Sequence, residues 1–224
     1  IIYKWKGKLN SKLILLINDI NIGLTKSLNK GLQLCNGDFI ARMDSDDISD
    51  SLRFEIQSNF LLNNPEVDLL GCYNNEFSSI KDFNLIREYP LKSEDIKKTM
   101  IISSPMCHAS VMFRKKIFDD GNSYNEKYKT SQDIALWFEL FYKGYKFANI
   151  DNVLYRARLS EDFHKRRSYK KAIYEFEIYW GGIIKLFGYT PKLVFPIVRL
   201  FVRLMPSPIT KLIYYSNIRK ILNS

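Results

Sequence analysis

Four aspartates lie close together directly after a short apolar run. Asp44, Asp46, Asp47 and Asp50 fall within seven positions, and "FIA" at 39–41 precedes them. Like charges at this spacing repel one another unless water or a cation screens them. The stretch therefore folds either as a solvated loop or as a site for a hard cation.

The segments on either side of the aspartates predict a layered α/β fold. "KLILLI" at 12–17 predicts a buried strand, "NIGLTKSLNKGLQLCNG" at 21–37 a helix, and "FIARM" at 39–43 a second strand. Strand, helix, strand is the unit of a parallel sheet. The aspartates would then lie at the carboxyl end of a strand, where open α/β sheets bind ligands.

The same alternation continues along the chain. The pattern predicts a helix at 52–64, a strand at "VDLLGCY", a helix from Ser93, a strand at "HASVMFR", a helix ending near Gly144, and strands at "KFANI" and "VLYRAR". Beyond residue 165 it predicts helices broken by Gly181, Gly182 and several prolines.

Charge divides the chain into two regions. Residues 165–224 contain twelve Lys and Arg against two acids, which accounts for the whole formal net charge of +10. We therefore expect two regions with different partners, an α/β domain over 1–160 and a basic helical tail over 161–224. The three cysteines form no C-x-x-C pattern, so they predict neither a zinc site nor a disulfide framework and fit a cytoplasmic protein.

The aspartates fit three kinds of structure. An EF-hand loop counted from Asp44 would place Glu55 at position 12, but Ser49 stands where that loop requires glycine. A solvated loop that caps the next helix is the simplest interpretation. The D-x-D spacing of Asp44 and Asp46 also suits Mg²⁺ or Mn²⁺, held by one or two carboxylates and completed by phosphate oxygens.

A longer stretch resembles a known family. "NIGLTKSLNKGLQLCNGDFIARMDSDDISDSLRFEIQ" is similar to the middle of the family-2 glycosyltransferases of the GT-A fold, whose pattern is N-x-G-L, L-N-x-G, G-x-(Y/F)-I-A-R-M-D-x-D-D, then R and Q. Further on, "HASVMFRKKIF" resembles the family's H-P-S-V-M-F-R segment, with Ala109 in place of the proline. "TSQDIALWFEL" resembles its E-D-(Y/F)-x-L-W helix, with Gln132 where glutamate is common.

The resemblance implies an inverting sugar transfer from a nucleotide diphosphate sugar, most often UDP-linked, to a saccharide or lipid-linked acceptor of cell-surface polysaccharide. It implies that Asp46 binds Mn²⁺ or Mg²⁺, and that Asp44 contacts the metal shell or the nucleotide ribose. It implies that Asp133 is the base that takes the proton of the acceptor hydroxyl. Without the resemblance, Asp133 is simply a carboxylate favoured at a helix N-terminus.

Further donor-binding candidates surround these aspartates. They are Arg42, Asp47, His108 and Arg156, and Arg158, Arg166 and Arg167 could also grip phosphate oxygens. His108 fits two interpretations equally, as a hydrogen-bonded core residue or as a neighbour of the diphosphate.

The resemblance also implies that family members have an opening strand and a nucleotide-binding loop upstream of the equivalent of Ile1. We therefore expect an N-terminally truncated GT-A sheet that lacks on the order of 60 residues. An inactive fragment is accordingly an alternative to an active enzyme.

The basic tail contains an amphipathic segment, "PKLVFPIVRLFVRLMP", in which Lys192, Arg199 and Arg203 share one helical face. Such a segment suits peripheral contact with an anionic membrane, here its inner face, and equally suits packing on the catalytic domain. A basic membrane-binding or nucleic-acid-binding module is a further alternative. The sequence contains no known RNA-binding motif, so we expect no nucleic-acid partner.

Overall fold

The computed structural model describes residues 13–78, 83–159 and 169–205. Its helices are α1 (Leu24–Leu32), α2 (Arg53–Asn63), α3 (Ser93–Thr99), α4 (Lys116–Asp119), α5 (Gln132–Tyr142), α6 (Tyr169–Phe187) and α7 (Val194–Leu204). Its strands are β1 (Phe39–Ala41), β2 (Ile48–Ser49), β3 (Leu69–Ser78), β4 (Phe83–Arg87), β5 (Met112–Arg114) and β6 (Phe147–Arg158). Short 3₁₀ turns occupy His108–Ser110 and Pro191–Leu193.

The six strands form one mixed sheet in the order β1-β5-β3-β6-β2, with β4 beside the second half of β3. β3 and β6 run parallel, and the other neighbouring pairs run antiparallel. Successive residues of β3 enter opposite layers: Leu69 packs with the helices α5 and α6, and Leu70 packs with α2. The predicted α/β class, a mixed sheet flanked by helices, is therefore confirmed.

The first predicted strand is wrong. Residues 13–17 form no strand, and the side chains of Ile14, Leu16 and Ile17 are exposed. An apolar run becomes a strand only where a neighbouring strand offers backbone partners, and none of the described strands does so here. The strand that follows α1, β1, pairs instead with β5 in the antiparallel sense, so the predicted parallel unit is not formed among the described residues.

Four other predicted elements need correction. The segment "HASVMFR" starts as a 3₁₀ turn, because the amide and the hydroxyl of Ser110 both donate to the Cys107 carbonyl at 3.0 Å. The two strands predicted at "KFANI" and "VLYRAR" are the single strand β6. Lys192 lies in the 3₁₀ turn before α7 and not in that helix.

The two adjacent glycines of α6 do not break the helix, contrary to the sequence-based expectation. Gly182 is buried against α5, where an added Cβ would come within 2.3 Å of the Phe138 ring. A Cβ on Gly181 would meet nothing within 4 Å. The close contact between α5 and α6 therefore requires glycine at 182 and outweighs its poor helix propensity.

This pair of glycines makes a matched stability test. We expect Gly182→Ala to lower the free energy of unfolding by about 1–3 kcal/mol, because the added methyl group overpacks the contact with Phe138. Gly181→Ala should raise it by about 0.5–1 kcal/mol, because alanine restricts the unfolded chain at an open helical position. Urea unfolding of both variants measures the difference, and equal effects of the two substitutions would contradict this packing.

Candidate active site

The acidic loop, residues 42–47 between β1 and β2, is anchored to strand β6 through one tyrosine. The amide of Asp44 donates to the Tyr155 hydroxyl at 3.0 Å, and that hydroxyl donates to Asp47 Oδ2 at 2.8 Å. Burial raises the pKa of Tyr155, so its hydroxyl stays protonated and can donate at neutral pH. The loop conformation is therefore set by a side chain more than 100 positions away in the sequence.

The end of β6 fixes two further atoms of this loop. The amide of Arg158 donates to Asp47 Oδ1 at 2.7 Å, and its Nε donates to the Asp46 carbonyl at 2.9 Å. Both carboxylate oxygens of Asp47 thus accept hydrogen bonds from β6. The carboxylate of Asp46 is exposed, and among the described residues it has neither a hydrogen bond nor an ion pair. Asp46 is therefore available to a ligand from solvent.

Asp44 is partly exposed and forms an ion pair with Arg42, whose Nη2 lies 2.5 Å from Asp44 Oδ1. Burial raises the pKa of the Asp44 carboxyl, Arg42 lowers it, and the neighbouring charges of Asp47 and Asp46 raise it. A bound cation would relieve this repulsion.

Two residues of α2 support the loop from the interior. Arg53 is fully buried, and its Nη2 donates to the Arg42 carbonyl at 2.6 Å while its Nε donates to Gln57 at 3.0 Å. Gln57 in turn donates to the Ser110 carbonyl at 2.9 Å. These are the final R and Q of the family pattern, so that spacing serves to hold the acidic loop against the 3₁₀ turn that precedes β5.

His108 lies in an aromatic cluster. Its Nε2 is 2.7 Å from the Tyr124 hydroxyl, and its ring meets Tyr124 and Trp137 edge to face at 5.4 and 5.8 Å. Burial, followed by the charge of Arg42, holds the pKa of His108 well below its usual value. The residue is therefore a neutral imidazole at pH 7 with a protein partner.

Asp133 is in the first turn of α5 and is partly exposed. Burial raises the pKa of its carboxyl, while the backbone N–H groups of Ile134 and of Asp133 itself lower it, followed by the charges of Arg42 and Lys171. A carboxyl with a raised pKa is a stronger base than an ordinary aspartate.

Arg42 is the common electrostatic neighbour of these groups. Its charge acts on Asp44 of the acidic loop, on His108 and on Asp133. The charge of Arg42, directly after β1, thus acts on carboxylates of both the acidic loop and α5, which are about 90 residues apart in the sequence.

Two other arginines that the sequence predicts to bind phosphate oxygens lie on β6. Arg156 and Arg158 are exposed and approach the Phe77 ring with their guanidinium carbons at 4.8 and 4.7 Å. Arg156 is opposite Ile48 of β2, which follows the acidic loop. Arg166 and Arg167 lie outside the described residues.

The donor atoms at the loop fit a hard divalent cation only in part. No group of three or more His, Cys, Asp or Glu side chains within residues 13–78, 83–159 and 169–205 could enclose a metal ion. The exposed carboxylate of Asp46 and the half-exposed one of Asp44 are nevertheless hard oxygen ligands. Such a pair suits an ion that takes its remaining ligands from water and diphosphate.

Sequence reasoning missed Tyr155 and gave no role to Arg53. The Tyr155 hydroxyl is the bridge between the Asp44 amide and the Asp47 carboxylate, but tyrosine in an apolar strand looks like an ordinary core residue. Arg53 follows an acidic stretch, and only its complete burial reveals that it is structural.

The chain matches the family model "Glycosyl transferase family 2" over residues 1–121. It is 33% identical over 197 residues to the amylovoran biosynthesis glycosyltransferase AmsE of Erwinia amylovora, covering 87% of this chain and 73% of that protein. It is also 33% identical over 228 residues to the UDP-Gal:alpha-D-GlcNAc-diphosphoundecaprenol beta-1,3-galactosyltransferase of Escherichia coli, covering 99% of this chain and 80% of the relative.

Solved structures show the same fold at low sequence identity. Staphylococcus aureus TarS 1-349 in complex with UDP-GlcNAc matches with a TM-score of 0.54 at 16% identity, covering 99% of this chain and 75% of that one. The mannosyltransferase PcManGT of Pyrobaculum calidifontis, in complex with GDP-Man and Mn²⁺, matches with a TM-score of 0.60 at 13% identity, covering 99% and 69%. The predicted GT-A fold is thereby confirmed, and the chain belongs to glycosyl transferase family 2 and is a glycosyltransferase.

Proposed function

We propose that this chain transfers a hexosyl or N-acetylhexosaminyl group from a UDP-sugar to a saccharide on a lipid carrier, in the synthesis of a cell-surface polysaccharide. The observation that carries the proposal is the position of Arg42, which pairs with Asp44 and whose charge also acts on Asp133. The carboxylate of the neighbouring Asp46 is exposed and has no partner among the described residues. The Escherichia coli relative, aligned over 99% of this chain, is named for a UDP-sugar donor and a diphospholipid acceptor.

Asp46 and Asp44 would hold Mn²⁺ or Mg²⁺ together with the donor diphosphate. When bound, such a cation neutralises the negative charge that develops on the departing diphosphate. Mn²⁺ is present in the complex of the mannosyltransferase PcManGT, which has the same fold. Asp47 shapes the loop through its bonds to β6 and leaves Asp46 as the exposed ligand.

Asp133 acts as the general base. It takes the proton of the acceptor hydroxyl as that oxygen forms a bond to the anomeric carbon, and the bond from that carbon to the diphosphate oxygen breaks. A single displacement of this kind inverts the anomeric configuration. The burial that raises the pKa of Asp133 makes its carboxylate a better proton acceptor.

Three further residues complete the donor site in this proposal. Arg42 supplies positive charge between the loop and Asp133, and Arg156 contacts phosphate oxygens from β6. The neutral His108, held by Tyr124, lines the site without adding charge.

The transfer reaction can be tested with a small panel of donors. UDP-Gal, UDP-Glc, UDP-GlcNAc and GDP-Man are each incubated with a synthetic GlcNAc-diphospholipid and Mn²⁺, and the products are separated by mass. We expect one UDP-sugar to be used and GDP-Man to be refused. Transfer from GDP-Man alone would contradict the proposed donor, and folded protein without UDP binding would contradict the donor site.

The peripheral membrane contact in this proposal involves α7. No helix among the described residues is both long and apolar enough to span a bilayer. Instead, α7 turns Arg199 and Arg203 toward α6, where both bond to Glu175. Its opposite face is apolar and exposed: Val194, Ile197, Val198, Phe201 and Leu204. With the positive charge of residues 165–224, this face suits the anionic inner surface of the cytoplasmic membrane.

Vesicle binding tests this contact. We expect the protein to sediment with phosphatidylglycerol and phosphatidylethanolamine vesicles, and Phe201→Asp to weaken sedimentation by on the order of tenfold. Leu62→Asp is the matched control, because Leu62 on α2 is 64% exposed, as is Phe201. Equal loss in both variants, or a dimer in solution that only Phe201→Asp dissociates, would contradict a membrane-facing α7.

A further inference from the structure

A buried glutamate joins the C-terminal helix to the start of the helix that carries Asp133. Glu175 of α6 is only 4% exposed. Its carboxylate accepts two hydrogen bonds from Arg203, at 2.8 and 2.9 Å, and one from Arg199 at 3.3 Å. Arg199 also donates to the Ile102 carbonyl at 2.8 Å, so this cluster is bonded to the turn that follows α3.

The same carboxylate reaches the residue that begins α5. The Ser131 hydroxyl donates to Glu175 Oε1 at 3.5 Å. Ser131 has φ 59° and ψ 24°, and it is the one residue other than glycine with positive φ in the part of the chain that the structure describes. A left-handed serine is strained and persists only where its surroundings hold it.

Asp133 follows this strained residue by two positions. The Ser131 carbonyl accepts the first helical bond of α5, from Ala135 at 3.2 Å, so Ser131 sets where the helix begins and how its first turn is oriented. Gln132, between them, is buried and cannot take up a change in Ser131 by moving into solvent. The direction of the Asp133 side chain therefore depends on the backbone of Ser131.

We propose that Glu175 is a positioning residue for sugar transfer: it holds Ser131, and thereby Asp133, in the orientation that accepts the acceptor proton. The inference rests on the proposed role of Asp133 as base. Glu175 is not among the residues of the proposed donor site, and its two arginines belong to α7. The helix whose apolar face is exposed is thus connected by hydrogen bonds to the first turn of α5.

The ion pairs explain why glutamate is needed here. A buried carboxylate is stable only with partners, and Arg203 provides two parallel N–H bonds that fix its plane. That plane determines where Oε1 meets the Ser131 hydroxyl. A glutamine of the same size would place an amide beside two arginines and lose this fixed geometry.

The test compares Glu175→Gln with Glu177→Gln. Glu177 lies on the same helix, but its side chain is 38% exposed and pairs with Lys127 at 2.6 Å. We expect Glu175→Gln to lower kcat by on the order of tenfold, with the KM for the UDP-sugar and the Mn²⁺-dependent affinity for UDP within about twofold of wild type. Glu177→Gln should leave all three unchanged. A folded Glu175→Gln protein with wild-type kcat would overturn the inference, as would parallel losses in kcat and UDP affinity.

Ser131→Ala decides the matter if Glu175→Gln does not fold. Alanine keeps the strain of a Cβ at this positive φ but lacks the hydroxyl that meets Glu175. A reduced kcat with unchanged UDP affinity supports positioning, and a wild-type kcat refutes it. Asp133→Asn separates the positioning role of Glu175 from the general-base role of Asp133. Full activity of that variant would contradict the general-base role, whatever the kcat of Glu175→Gln.

Discussion

Replacing Asp46 by asparagine is expected to weaken Mn²⁺-dependent UDP binding by at least about 100-fold, because the substitution removes the one carboxylate of the acidic loop that has no partner among the described residues. Titration calorimetry of UDP in the presence and absence of Mn²⁺ measures the loss. The fold should be unaffected, since the substitution also removes a charge that repels Asp44. We therefore expect a melting temperature equal to or above that of wild type.

Glu55→Gln is the control for this experiment. Glu55 is exposed in the same acidic stretch and would be the last ligand of an EF-hand loop, but it lies on α2. UDP affinity should not change in this variant. Loss of cation binding in Glu55→Gln, with retention in Asp46→Asn, would favour a calcium loop over a nucleotide-sugar site.

Asp133→Asn is expected to lower kcat by about 10²–10⁴-fold, the usual contribution of a positioned general base. Asparagine has the same shape as aspartate but cannot accept the acceptor proton. UDP affinity should be retained, because the residue belongs to α5 and not to the acidic loop. Transfer kinetics and UDP titration on one protein preparation distinguish loss of chemistry from loss of binding.

The pH dependence has a defined sign. Burial raises the pKa of Asp133, so wild-type kcat should fall as the pH falls through a value above the usual range for aspartate. For the same reason ionisation of Asp133 lowers the free energy of unfolding. The protonated carboxyl contributes stability below the pKa that Asp133 has in the unfolded chain, and this contribution is lost as the pH rises through its pKa in the folded protein. The neutral Asp133→Asn protein should thus melt no lower than wild type at neutral pH. A variant with wild-type kcat and an unchanged pH profile would rule out Asp133 as the base.

The position of the acidic loop could be predicted from local sequence. Apolar residues 39–41 followed by aspartates indicate a strand that ends in a polar loop, and β1 ends at Ala41. The pairing of that strand could not be predicted in the same way. β1 meets β5, more than 70 positions later, and local periodicity carries no information on such a partner.

The site itself required the family resemblance. Nothing in the spacing connects Asp133 with Asp44, and the charge of Arg42 between them becomes evident only in the folded chain. The sequence also does not determine which face of α7 turns toward the rest of the protein. A helical wheel shows one basic and one apolar face, but the buried Glu175 on α6 decides that the arginines turn inward.

Strand β6 determines which changes in chain length the enzyme can accept. Its first residues lie in the core. Its last five residues hold the neighbouring loop: the Leu154 carbonyl accepts a hydrogen bond from the Asp50 amide at 2.9 Å, and Tyr155 and Arg158 donate to the acidic loop. Its register against β3 shifts between Cys72 and Asn74, where β6 carries extra residues. Inserting one residue before Leu154 would turn Tyr155 to the opposite face of the sheet. Deleting two residues would keep Tyr155 on the same face, but it would shift Tyr155 and Arg158 by about 7 Å along the strand, away from the acidic loop. Length variation among functional relatives should therefore be concentrated in loops outside this strand.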